Sequence, residues 1–228
     1  MPWYPKAIRK EVTRHRTPMS AHRGVVLHVA VSESSSLFGY FNQKGNPTSH
    51  FYVRKDGTVE QYVDTQFVAP AQLDGNPTLV GIETQGGVTD AKHEQWTPAQ
   101  VETLAQLCAW VHETHGTPLQ AMKSSLKTER GVGPHRLGID PWRVSGGEHW
   151  STSYGKTCPG DAKVAQVPTV IKRAEDIVAE KFRFLVKNKA GATVVETESD
   201  DWFDRIAETI KKEVIAHRYA LVLKEVVE

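Results

Sequence analysis

The 228-residue chain has two cysteines, Cys108 and Cys158. Two thiols cannot build the multi-bridge framework of a small secreted domain. Charge of one dominant sign is also missing, since 28 Lys and Arg against 27 Asp and Glu leave a net +1. That balance gives no overall field to draw in nucleic acid or an anionic membrane. No apolar run approaches the roughly 18 residues of a membrane span, so membrane insertion is not expected. The opening "MPWYPKAIRKEV" contains no apolar h-region. The sequence therefore predicts no signal peptide, and synthesis and folding in a cytosol. A reducing cytosol disfavours a disulfide between the two thiols. What is present is ordinary for a soluble globular protein, 39% hydrophobic and 24% charged. The length suits one good core with a small appendage.

Residues 1–24 carry Lys6, Arg9, Lys10, Arg14, Arg16 and Arg23 against Glu11 alone. They read as a solvated basic arm. "GVVLHVAV" (24–31) is a continuous apolar run, the pattern of a strand buried on both faces, with His28 in its middle. "SHFYVRKDGTVEQYV" (49–63) predicts a hairpin, two β-rich runs around Asp56-Gly57. "PTLVGIETQGG" (77–87) reads as a second buried strand. Residues 97–118 predict a helix, with Thr97 and Gln100 as a capping box, Pro98 in the first turn, and Gly116 and Pro118 as stops. Its apolar face is Val101, Leu104, Cys108 and Val111. Residues 119–166 read as loop, 167–186 as helix, and 187–201 as a polar linker. Strands and helices alternate without a regular βαβ rhythm. The expected fold is α/β: a central mixed sheet flanked by helices over residues 1–188, then a linker and helical tail over 189–228.

Three residues are candidates to converge on one site: His28, His135 and Cys158. His28 sits in a buried strand, where a histidine is more often a hydrogen-bonded core residue than a ligand. His135 sits in "GVGPHRLG", where a surface-loop residue is the plain reading. Cys158 in "YGKTCPGD" is either a buried thiol, the plain fate also expected for Cys108, or a ligand. Together, two histidines and a thiolate make a zinc set that leaves a fourth position open, the arrangement of a catalytic site. They lie 107 and 23 residues apart, so spacing alone proves nothing, and no CxxC or HxxxH pair marks a local zinc knuckle. Lys156 lies two positions before Cys158, and in extended chain both side chains face the same way. A cation there favours thiolate and stabilises a developing oxyanion, against the plain reading of a solvated lysine. Glu83 is an acid within the apolar "LVGIETQ". It is either a general base or a residue emerging into solvent at a strand end.

In order along the chain, "GVVLHVA", "SHFYVRKDGTVEQYVD", "NPTLVGIETQGG", a "TPAQVETL" helix, "GVGPHRLGID" and "KTCPGD" resemble the zinc-dependent N-acetylmuramoyl-L-alanine amidases. This is the type-2 amidase and peptidoglycan-recognition-protein superfamily. The likeness covers about residues 1–180 and is greatest to phage endolysins of actinobacterial phages. It implies a mixed sheet with a zinc cleft on one side, and hydrolysis of the amide joining N-acetylmuramic acid to L-alanine in bacterial peptidoglycan. It further implies one Zn²⁺ per chain held by His28, His135 and Cys158, with Glu83 and Lys156 as catalytic residues. His50 is expected either as a substrate contact or as an outer group supporting the metal ligands, or as a half-exposed strand residue. Where some relatives carry a catalytic tyrosine, this chain has Ser49. Tyr52 is expected to point to the opposite face. The endolysin likeness implies accumulation in the host cytoplasm and access to the wall through a separate pore protein. A non-catalytic peptidoglycan-binding module and an intracellular muropeptide-recycling amidase are the alternatives.

Beyond that likeness, Trp202, Phe203, Ile206, Ile210 and Val214 recur at helical steps, and the chain ends on Leu221, Leu223, Val226 and Val227. A lone helix of this length is marginal in water. Residues 191–228 hold nine acidic and five basic residues, which disfavours simple attraction to anionic wall polymers. Self-association through residues 200–228 is expected, with docking on the chain's own first domain as the alternative.

Overall fold

The apolar runs become the centre of a six-stranded sheet. The computed structural model describes residues 2–181, 184–187 and 193–197. Its strands are β1 (Ile8–Arg9), β2 (Gly24–Leu27), β3 (Phe51–Val53), β4 (Val59–Gln61), β5 (Leu79–Thr84) and β6 (Gly131–Pro134). They lie in the order β1-β4-β3-β5-β2-β6. Only β3 and β4 are antiparallel, joined by the expected hairpin, in which Gly57 takes φ +84°. β2 lies between two parallel neighbours, β5 and β6. That position explains its unbroken apolar sequence, because strands covered on both faces lose the polar alternation.

Helix α1 (Phe38–Phe41) is one turn long. Helix α2 (Pro98–His115) carries the full capping box: Thr97 Oγ1 accepts from Gln100 N, and Gln100 Oε1 accepts from Thr97 N, both at 3.1 Å. Gly116 closes it at φ +69°. Leu104, Leu107, Cys108 and Val111 are buried on it, and the ring of Trp110 meets Phe51 of β3 edge-on. Helix α3 (Asp161–Lys181) lies against α2, with Arg173 paired to Glu102 at 2.9 Å.

Several expectations change. Residues 131–134 form a strand rather than a loop: their backbone pairs with β2 from Gly24↔Gly131 to Leu27↔Pro134, and pairing overrides the low strand propensity of Gly and Pro. Helix α3 starts at Asp161, ahead of Pro168, because its first turn is tied to residues 92–96. There Lys163 is fully buried, donating to the Glu94 carbonyl (2.8 Å) and to its Oε2 (3.0 Å). The basic arm is not a solvated tail. Tyr4 and Val12 are buried and Lys10 N bonds Gln61 O. Arg23 is buried and ion-paired to Glu148, which also accepts from Trp150 Nε1 at 3.1 Å.

The chain divides into two compact units, Met1–Ala174 and Glu175–Glu228. In the second, the helix stops at Lys181. β7 (Phe184–Lys187) and β8 (Thr193–Thr197) then pair antiparallel where helix and linker were expected. The runs "FLV" and "TVV" within them are rich in β-branched and aromatic strand formers. The expected tail helix at 200–228 lies outside the described residues. Among those described, no helix is long and apolar enough to cross a membrane.

His50 pins the hairpin to β5. Its Nε2–H donates to the Phe67 carbonyl (2.9 Å) and its Nδ1 accepts from Gly81 N–H (3.1 Å), so the buried neutral ring is fully satisfied. Burial pushes its pKa down to about 4. The unfolded chain binds this proton near pH 6.5 and the folded chain does not. Stability from His50 is therefore fully present above pH 6.5 and is lost as pH falls toward 4, on the order of 3 kcal/mol. Urea midpoints measured from pH 7.5 to 4.5 should fall more steeply for the wild type than for His50→Gln, which cannot titrate. Equal slopes would contradict this role.

Candidate active site

Strand register builds the site. Leu27 of β2 lies between Ile82 of β5 and Pro134 of β6. The next residue of each strand path is therefore Glu83, His28 and His135. The three form one row at the carboxyl ends of three adjacent parallel strands, where open α/β sheets place their ligand sites. The rings of His28 and His135 lie 4.2 Å apart, and Glu83 Oε1 is 3.7 Å from His28 Nδ1. The loop before α3 brings Cys158 over the row, where its Sγ accepts from Val29 N–H at 3.4 Å. One donor atom from each of His28, His135 and Cys158 lies within 4.8 Å of the others, and all three residues are buried.

The electrostatics fit a cation. His135 Nε2 must be the protonated nitrogen, because it meets the Trp150 carbonyl at 2.9 Å and a carbonyl only accepts. Its Nδ1 lone pair is left facing the site, buried and without a partner among the described residues, as is Glu83 Oε2. Burial, with His135 and Lys156 nearby, holds His28 well below the ordinary imidazole range. Burial brings His135 down to about 4. Both rings are therefore neutral lone-pair donors at pH 7. Burial pushes the Cys158 thiol up to about 12, and the Glu83 carboxylate pushes the same way. Glu83 itself is raised to about 7 by burial, against the opposing pull of Lys156. Two buried neutral imidazoles, a thiol and converging unpartnered atoms form a donor set that fits a zinc-type ion.

The site opens into a cleft of roughly 250 Å³. His28, Glu83, His135, Lys156 and Cys158 share its lining, with Val31, Leu37, Tyr40, Phe41 and Pro47 forming an apolar side. The expected five residues are thus brought together. His50 is not with them: it is buried, does not line the cleft, and uses both ring nitrogens within the sheet. The expectation of a substrate contact at His50 is corrected, because no ring atom is left for a ligand. Ser49 lines the cleft, but its hydroxyl donates to Phe51 O at 2.7 Å. Tyr52 donates to Ser34 O and packs in the core with Leu37, Phe41 and Tyr62. Cys108 is plain core, as expected. Sequence reasoning missed the supports of His135 and Cys158. Trp150 acts through its carbonyl and Val29 through its amide, and backbone groups leave no residue-type signal.

Residues 17–161, which contain every site residue above, match the N-acetylmuramoyl-L-alanine amidase family. No curated protein sequence matches the chain. Among solved structures, the N-acetylmuramoyl-L-alanine amidase LysC from Clostridium intestinale URNW is similar at 18% identity. That match covers 74% of this chain and 99% of LysC, with a TM-score of 0.52. The endolysine LysCS from the same organism is similar at 17% identity over 75% of this chain and 99% of its own, with a TM-score of 0.51. The Staphylococcus aureus hydrolase AmiA is similar at 15% identity over 75% and 83%, with a TM-score of 0.52. Identities this low establish a shared fold. The family match spans most of the chain and all of the site, and the chain belongs to the N-acetylmuramoyl-L-alanine amidases, enzymes that hydrolyse the amide between N-acetylmuramic acid and L-alanine of peptidoglycan.

Proposed function

We propose that His28, His135 and Cys158 hold one zinc ion and that Glu83 and Lys156 carry the acid–base and oxyanion roles of the amidase reaction. The observation that carries this reading is the set of donor atoms of His28, His135 and Cys158 within 4.8 Å of one another, with Glu83 lining the same cleft 3.7 Å from His28. When bound, zinc supplies Lewis acidity toward water and the scissile carbonyl. Cys158 binds as the thiolate and gives up its proton on loading. Glu83, with a pKa raised to about 7 by burial, is poised to take a proton from the attacking water and return it to the leaving nitrogen. Lys156 lines the same cleft, and its ammonium would stabilise the negative charge that develops on the former carbonyl oxygen. Leu37, Phe41 and Pro47 line the same cleft and give part of it an apolar surface.

The biological setting we propose is host-cell lysis. The endolysin LysCS among the structural relatives supports a lysin, made in the host cytoplasm and reaching the wall through a separate pore protein. Digestion of intact sacculi separates this from recycling of soluble muropeptides: a lysin releases stem peptides from sacculi, whereas a recycling enzyme works on fragments alone.

Two predictions follow from the site. Purified protein should carry about one zinc per chain, lost in His135→Ala and Cys158→Ala and kept in Cys108→Ala, as read by elemental analysis. Metal-free wild type with undiminished activity would refute the ligand set. Glu83→Gln should keep its zinc and its melting temperature while turnover on sacculi falls about 10²–10⁴-fold. Lys156→Met should also keep zinc and lose turnover. Near-normal turnover in Glu83→Gln would remove that residue from the reaction.

A further inference from the structure

Gln72 is fully buried, and nothing in its sequence surroundings, "APAQLDG", marks it. Its carboxamide has a defined orientation. One end lies 2.9 Å from the Leu79 carbonyl, which only accepts, so that end is the Nε2 donor. Its Oε1 is left buried without a hydrogen-bond partner among the described residues. The same holds for His28 Nε2. Two buried, complementary atoms without partners are costly apart and stable together.

They occupy the same neighbourhood. A side chain at position 81 would meet Gln72 Oε1 at 2.8 Å, so the carboxamide sits over the bare backbone of Gly81. Gly81 and Glu83 are two apart on β5 and face the same side of the sheet, the side that carries the metal row. Val26 lies opposite Gly81 in register, which puts His28 beside Glu83 two residues on. The other ring nitrogen, Nδ1, is the one that faces Glu83.

We propose that Gln72 is a positioning residue of the metal centre: its Oε1 accepts from His28 Nε2–H, which fixes the tautomer that presents Nδ1 to the site. The proposal rests on the zinc reading above. It makes the two histidines equivalent in design, because each is held through Nε2 by an oxygen acceptor, Trp150 O for His135 and Gln72 Oε1 for His28. Such outer partners of ligating histidines commonly contribute 10- to 100-fold in metal affinity. Gly81 is part of the device, since any larger residue would displace the carboxamide.

The test uses the full chain and zinc alone, titrated against a competing chelator. Gln72→Leu removes the acceptor and should weaken zinc binding about 10- to 100-fold. Gln72→Glu keeps an acceptor but loses the donor to Leu79, and should stay within a few-fold of wild type. Wild-type affinity in Gln72→Leu overturns the proposal. So does equal weakening in both variants, which would assign the effect to the Leu79 bond. Wild type that binds no zinc overturns the zinc reading itself. One measurement needs no variant: ¹⁵N spectra of the zinc-loaded wild type should show His28 protonated at Nε2, and protonation at Nδ1 would contradict the assignment.

Discussion

The site depends on the mutual register of β5, β2 and β6. Because Ile82, Leu27 and Pro134 lie in one row, the following residues Glu83, His28 and His135 emerge together at the strand ends. A one-residue slip of any strand would turn its functional side chain to the opposite face. The apolar residues that fix the register, Val25, Val26, Leu27, Val80 and Ile82, are all fully buried. The hydrophobic core and the functional geometry are therefore set by the same constraint. The core holds the strands in one alignment, and that alignment brings groups together from positions 28, 83 and 135.

The periphery serves the same row. Trp150 holds His135 through its carbonyl, and the Trp150 ring is tied to Glu148, itself ion-paired to Arg23 at the start of β2. A buried pair of this kind is weak support for stability as such, but removing one partner strands a charge in the interior. Its value here is positional, since it connects the entry of the central strand to the loop that orients His135. On the other flank, Glu94 receives Lys163 and Lys55 and bonds the backbone at Gly87. Burial raises the Glu94 carboxyl, but its hydrogen bonds to these two lysines prevail and hold it below the ordinary range. This ties the first turn of α3, just after Cys158, to the segment that follows β5. Cys158 is thus anchored from the helix behind it.

How much was legible follows from which forces act locally. The hairpin at Asp56-Gly57 and the capped helix at Thr97 are local devices, and both form as read. The two central apolar strands were equally plain. β6 was not, because "GVGP" has no strand propensity and becomes a strand through pairing with β2. The arm was misread because its charges are visible in sequence while the partners of Arg23 and Lys10, at Glu148 and Glu60, lie far along the chain. The five residues gathered at the cleft were named from motif order and residue chemistry. His50 was misassigned because a histidine next to a strand looks the same in sequence whether it faces a ligand or bonds backbone. Gln72 carried no signal, since its position over Gly81 is purely tertiary.

The central claim is that three residues distant in sequence form one metal centre of mixed nitrogen and sulfur donors. X-ray absorption at the zinc edge of the purified wild-type chain tests it most directly. The account predicts a first shell of two imidazole nitrogens at about 2.0–2.1 Å, one sulfur at about 2.3 Å and one further light donor. A shell without sulfur, or one with two or more sulfurs, would contradict it.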